Sequence, residues 1–171
     1  MAKYGVGQPV RRTEDPRLLT GRGKFNDDVS RDGDAVGYVL RSPHAHADIR
    51  SIDTSRATGM PGVLAVLTGQ DLADDGIGAF PGPPPFFASL TKPDGSPLIY
   101  PPQYALTSDR ARYVGDPIAF VVAETLEQAK DASEAIDIDY APLPAVVGTA
   151  EAMNDGQVQL FDDVPKNFLF Q

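Results

Sequence analysis

Two histidines, His44 and His46, stand two residues apart, and Asp48 continues the same spacing. On an extended strand, side chains at i, i+2 and i+4 share a face, so this trio is where the sequence gathers imidazole and carboxylate in a metal-ligand rhythm. A metal site needs a third ligand, and Asp48 is the sole local candidate. A strand edge making ordinary hydrogen bonds has the same spacing and is the preferred reading. Asp53, Asp137 and Asp139 offer carboxylates for acid–base work, but Asp137 and Asp139 alternate with Ile136 and Ile138, which puts them on the wet face of a strand. Gly21-Arg22-Gly23 matches two glycines of a dinucleotide loop without the preceding strand and following helix that such a loop requires. The phosphate loop G-x-x-x-x-G-K-[ST], the zinc motif H-E-x-x-H and the nucleophile elbow G-x-S-x-G are missing from the sequence. The expected set of catalytic, cofactor-binding and metal-ligating residues is therefore empty.

Bulk properties narrow the class further. At 171 residues the chain fits one domain with an extension. Its formal net charge of −9 repels phosphate backbones and anionic lipid heads, which argues against nucleic-acid and membrane partners. It contains no cysteine, so disulfides, thiolate zinc sites, a cysteine nucleophile and iron–sulfur ligation are excluded within it. The N-terminus MAKYGVGQPVRR has no apolar stretch of the secretory type, and no window is long enough to span a bilayer. The expected location is cytoplasmic.

The elements that would position any such residues fall into blocks. Residues 1–34 read as an extended arm dense in charge of both signs, either solvated or lying along another domain with Leu18, Leu19 and Phe25 as its apolar anchors. It has too little apolar surface to order itself alone. Residues 35–68 predict three strands: AVGYVLRSP half buried, HADIRSID alternating, and GVLAVLT covered on both faces after the Pro61-Gly62 turn. Asp53-Thr54-Ser55 and Thr68-Gly69-Gln70-Asp71 offer caps for short helices. Eight of the sixteen prolines lie between residues 75 and 103, which excludes helix interior and central strand there. This long loop reads as a surface insertion, or as a contact loop with Phe80, Phe86 and Phe87 as anchors. Its prolines at 81–85 lack the flanking Arg or Lys of a groove-docking segment.

Residues 111–143 predict strand, helix and strand. Tyr113-Val114 enter a short strand, Gly115-Asp116-Pro117 bend, and IAFVVA is a buried strand. Thr125 and Gln128 have the spacing of a capping box. The helix that follows carries Leu126, Ala129, Ala132, Ala135 and Ile136 on one stripe, and small alanines let it lie close on a sheet. Ile136 to Tyr140 alternates as a half-buried strand stopped by Pro142 and Pro144. A possible helical turn follows at Thr149 to Met153. The expected fold class is α+β, with a mixed sheet, a helix packed on one face and a long proline-rich loop. The expected organisation is an arm at 1–34, a domain at 35–153 and a connector at 154–171 that ends on exposed Phe168, Leu169 and Phe170.

Taken in order, these short motifs resemble one family. Gly7, Val10, Arg12, Glu14 and Asp15 come first, then Leu18-Leu19-Thr20-Gly21 and Gly23-Lys24-Phe25-Asn26-Asp27-Asp28. Arg41-Ser42-Pro43-His44-Ala45-His46-Ala47 follows, then Pro61-Gly62-Val63 and Val66-Leu67-Thr68. Val114-Gly115-Asp116-Pro117, Val121-Val122-Ala123 and Tyr140-Ala141-Pro142-Leu143-Pro144 close the series. From Gly5 to Gln171 the chain is similar to the beginning of the molybdenum hydroxylase large subunit, the family of xanthine dehydrogenase, aldehyde oxidase and carbon monoxide dehydrogenase, and it resembles the carbon monoxide dehydrogenase-like bacterial branch more than the animal xanthine oxidases. The resemblance implies an α/β hammerhead domain with its N-terminal arm. It also implies a role in an oxidoreductase that hydroxylates an aldehyde, a heteroaromatic ring or a small carbonyl substrate. The molybdopterin cofactor would sit in the remainder of the large subunit, with iron–sulfur clusters and FAD in companion subunits. The family's cofactor loops and catalytic glutamate have no matching position here, so the chain alone is expected to be inactive, as a split subunit or a fragment. The alternative is a free-standing protein-binding module unrelated to molybdenum chemistry.

Overall fold

The computed structural model describes residues 11–82, 91–92 and 94–168. The chain divides into two compact units, Met1–Asp34 and Ala35–Gln171. In the described part of the first unit, helix α1 (Asp15–Leu19) has Pro16 in its first turn, where the fixed φ of proline suits a helix. It closes where the Thr20 hydroxyl donates to Pro16 O at 2.6 Å. Leu18 is half-buried and its Cδ2 lies where a Cβ on Gly23 would be, 2.7 Å away, so the glycine admits the leucine. Leu19 and Phe25 remain exposed within this unit.

The second unit contains strands β1 (Val36–Arg41), β2 (Ala47–Asp53) and β3 (Val63–Thr68), with the short helices α2 (Ser55–Thr58) and α3 (Gly69–Asp74) after β2 and β3. Strands β4 (Arg110–Ala111) and β5 (Pro117–Ala123), helix α4 (Leu126–Glu134), strand β6 (Asp137–Pro142) and helix α5 (Thr149–Ala152) complete it. The expected caps form. Asp53 Oδ1 accepts from Ser55 N at 2.9 Å, and Asp71 Oδ2 accepts from Thr68 N at 2.7 Å while the Thr68 hydroxyl accepts from Asp71 N.

The strands make two three-stranded sheets, ordered β1-β5-β3 and β4-β2-β6, and every pairing is antiparallel. This corrects the single mixed sheet expected from the sequence. A strand–helix–strand pattern gives a parallel pair only when both strands join one sheet, and here α4 carries the chain from β5 in the first sheet to β6 in the second. The α+β class itself stands.

The core lies between α4 and one face of the first sheet. Ala119, Val121 and Ala123 of β5 meet Ala129, Ala132 and Ile136, with Ala57 beside them, and all seven are buried. Alanine on the helix removes the side-chain bulk that would hold it off the sheet. Leu126, expected on this stripe, is instead exposed, and Ser133 is buried in its place. Of the expected capping box, the Thr125 hydroxyl accepts from Gln128 N at 3.2 Å. The Gln128 side chain does not reach back; it lies against Gly62, whose φ of +76° and lack of Cβ leave the room.

Two further differences have plain causes. The strand expected at Tyr113-Val114 falls earlier, at Arg110–Ala111, because Gly115 with φ +93° turns the chain directly into β5. Strand β3 is not covered on both faces. Its register slips between Val63 and Ala65, leaving Leu64 as a bulge residue that is 59% exposed. On the same uncovered face the Phe120 ring lies across Gly37, where any Cβ would sit 2.3 Å from Cζ. An aromatic ring thus covers the bare backbone of a neighbouring edge strand.

Candidate functional site

The connection between β1 and β2 carries both histidines. The His44 ring packs on Tyr140 with centroids 4.7 Å apart and planes tilted by 54°. His46 is buried, and its Nδ1 lies 2.8 Å from Pro144 O. A carbonyl can only accept, so Nδ1 carries the proton; Nε2 has no partner. Asp48 is taken by Arg110, whose Nε donates to Oδ1 at 2.6 Å. The spacing that could have made a metal face is therefore spent on three separate structural contacts, in line with the strand-edge reading. Asp53 caps α2, and Asp137 and Asp139 are exposed, with Asp139 paired loosely to Arg50 at 3.8 Å. Among the described residues no three His, Asp or Glu side chains group as a metal site.

The dense polar cluster lies elsewhere, at the Val114-Gly115-Asp116-Pro117 bend. Asp116 is buried, and its carboxylate accepts from the Thr107 hydroxyl at 3.0 Å and from Arg112 N at 2.9 Å. Its carbonyl accepts from Ser42 N at 2.9 Å, and Ser42 O accepts from Gly115 N at 2.8 Å. Arg41 Nη1 donates to Gly115 O at 2.9 Å. One bend thus fastens the end of β1, the segment at 105–107 and the start of β5. The Tyr140 hydroxyl is buried nearby without a well-formed hydrogen bond; burial pushes its phenol up, and the Ser42 hydroxyl pulls the other way. Burial also raises the Tyr113 phenol, as does the Asp116 carboxylate beside it.

Arg112 extends this cluster to the C-terminal segment. Its Nε donates to Leu160 O at 3.1 Å, Nη1 donates to Arg110 O at 3.0 Å, Nη2 pairs with Asp109 at 3.1 Å, and the guanidinium lies 4.8 Å from the Phe161 ring centroid. Burial alone would raise the Asp109 carboxyl, but the hydrogen bond and charge of Arg112 outweigh it and hold the group below its usual value. Asn167 ties the same segment together, donating from Nδ2 to Ala152 O at 3.0 Å and Val158 O at 2.8 Å and accepting from Leu160 N at 2.8 Å. The expected connector is thus folded back through residues 154–168, with Val164 buried and Phe168 half-buried. Leu169 and Phe170, the rest of the expected apolar end, lie outside the described residues, as do Phe86 and Phe87; Phe80 is exposed.

Between these parts lies a cleft of about 670 Å³ lined by Phe80, Tyr104, Arg112, Tyr113 and Phe161 among others. It does not suit a molybdopterin. Its one guanidinium is committed to Leu160, Arg110 and Asp109, leaving no free cation for a phosphate. The sequence has no cysteine for an iron–sulfur cluster. What the arrangement does chemically is hold backbone segments at fixed positions.

The family model described as the a/b hammerhead domain of aldehyde oxidase and xanthine dehydrogenase matches residues 20–144. The chain belongs to that family. This hammerhead is 36% identical over 160 residues to the carbon monoxide dehydrogenase large chain of Afipia carboxidovorans, covering 94% of this chain and 18% of that one. It is 38% identical over 153 residues to the nicotine 6-hydroxylase large subunit of Paenarthrobacter nicotinovorans, covering 90% and 18%. Among solved structures it superposes on a Cu,Mo-CO dehydrogenase with a TM-score of 0.73 at 37% identity, over 94% of this chain and 18% of the other. Quinoline 2-oxidoreductase from Pseudomonas putida 86 gives a TM-score of 0.72 at 36% identity, covering 90% and 18%. The chain therefore spans about a fifth of the length of these relatives.

On the sequence, Val114-Gly115-Asp116-Pro117 is legible as a bend and as one of the hammerhead motifs, but not as the anchor of a polar cluster. Its signal was a charged residue between Gly and Pro at the mouth of an apolar strand. Arg112 and Asn167 left no comparable mark, because their partners are mostly backbone carbonyls, which every sequence supplies.

Proposed function

We propose that this hammerhead is the structural portion of a molybdopterin-dependent oxidoreductase large subunit. It supplies surface and orientation, while the reacting groups belong to other parts of the enzyme. The observation that carries the reading is the end-to-end likeness to the large chain of carbon monoxide dehydrogenase, over 94% of this chain. Its partners are the molybdopterin-binding remainder of the large subunit and companion subunits with iron–sulfur clusters and FAD, in a cytoplasmic complex. The substrate is an aldehyde, a heteroaromatic ring or a small carbonyl compound. Residues 1–34, with Leu19 and Phe25 exposed, act as an arm that anchors on those partners. Within the hammerhead, the Asp116 bend and the Arg112 contacts fix the surfaces that such partners meet. No proton or electron passes through its side chains.

Co-expression with the neighbouring reading frames, followed by affinity purification and elemental analysis, tests this. The expected result is stoichiometric molybdenum and iron in the complex and neither metal on the chain alone. A chain that captures no metal-bearing partner contradicts the reading.

A further inference from the structure

Edge strands invite pairing, and among the described residues of this unit three of the four edges are guarded. Strand β3 carries the Leu64 bulge, β4 is two residues long, and β6 bears Asp137 and Asp139 and ends on Pro142. Strand β1 carries no extra residue of its own, the irregularity in its pairing with β5 falling at Ile118 of β5. It runs Val36-Gly37-Tyr38-Val39-Leu40-Arg41 at the edge of its sheet, without proline and without charge before its last residue. Beside it lies a groove of about 520 Å³, floored by β1 and walled by Lys130, Ser133 and Glu134 of α4.

We propose that this edge pairs with the β1 edge of a second copy of the chain, joining the two sheets into one of six strands. The geometry favours that occupant. Antiparallel pairing of two identical strands places a twofold axis perpendicular to the sheet, so both α4 helices lie on the same face and run antiparallel. Helix α4 packs over both β1 and β5. With strands about 4.8 Å apart, a helix astride them comes to about 10 Å from its symmetry mate, within the range of packed helices. The facing residues are then Lys130 and Glu134, exposed and one turn apart, with the small Ser133 buried between them. Antiparallel juxtaposition sets each Lys130 against the Glu134 of the other copy. Neither forms an ion pair within the chain among the described residues. Lysine N-terminal to glutamate is also the weaker order for pairing along one helix. The two charges are therefore available for this exchange.

The test is the mass of the 171-residue chain in solution by light scattering over a concentration series, with circular dichroism to confirm folding. The chain is expected to dimerise. K130E and E134K, at exposed positions, should each weaken the dimer about tenfold or more by setting like charges together. An equimolar mixture of the two variants restores a mixed dimer, and the double variant K130E/E134K restores a self-dimer. A monomer at every concentration overturns the proposal. So does a dimer indifferent to either single variant, or one that neither the mixture nor the double variant restores.

Discussion

Asp116→Ala is expected to destabilise the hammerhead by about 3 kcal/mol, the sum of leaving the Thr107 hydroxyl and the Arg112 amide without an acceptor in a buried place. For a unit of this size that lowers the melting temperature by roughly 6–12 °C. The loss is not a matter of volume, because alanine leaves the bend's backbone bonds to Ser42 intact. Asp116→Asn tests that distinction. It keeps an oxygen for one donor but turns an NH₂ toward the other, and should cost about half as much. Thermal melts of the three proteins under identical conditions check the order. Equal stability of wild type and Asp116→Ala would mean that the bend is not the joint described here.

Asn167→Ala is expected to act locally instead. The side chain makes three hydrogen bonds to the backbone at 152, 158 and 160, and the residue itself sits at φ +53°, where alanine is strained. Losing both advantages should open the segment at 154–168 by about 2–3 kcal/mol, so the Leu160 amide exchanges its hydrogen about a hundredfold faster. Asn167→Gly removes the bonds but relieves the backbone, and should fall between alanine and wild type. Amides in the middle of β5, such as Val121 in the core, should keep their protection in both variants.

What the sequence disclosed follows from how local each signal was. Strands β1, β2 and β5 and helix α4 are marked by apolar periodicity within a dozen residues, and the caps at Asp53, Thr68 and Thr125 are contacts between near neighbours in the chain. Sheet membership is not local. Nothing in residues 117–142 says that β5 pairs with β1 and β3 while β6 pairs with β2, so the strands were expected in one mixed sheet rather than two antiparallel ones. Burial was misjudged where a bulge intervened, as at Leu64, since a one-residue slip leaves an apolar run looking continuous. His44, His46 and Asp48 show the limit for sites. Their spacing was real, but their partners, Tyr140, Pro144 and Arg110, lie far along the chain and could only be seen in the fold.

On the proposed reading, this domain positions other parts of an enzyme and contributes no reacting group. The most direct test is turnover of the assembled, metal-loaded complex carrying His44→Ala together with Asp48→Asn, expressed per molybdenum atom. These two side chains are the best candidates for chemistry that the sequence offers. Turnover per molybdenum is expected to stay within about twofold of wild type, even where less complex is recovered. A fall of about a hundredfold at unchanged molybdenum content, the scale of a lost acid–base group, would place chemistry in this chain and contradict the account.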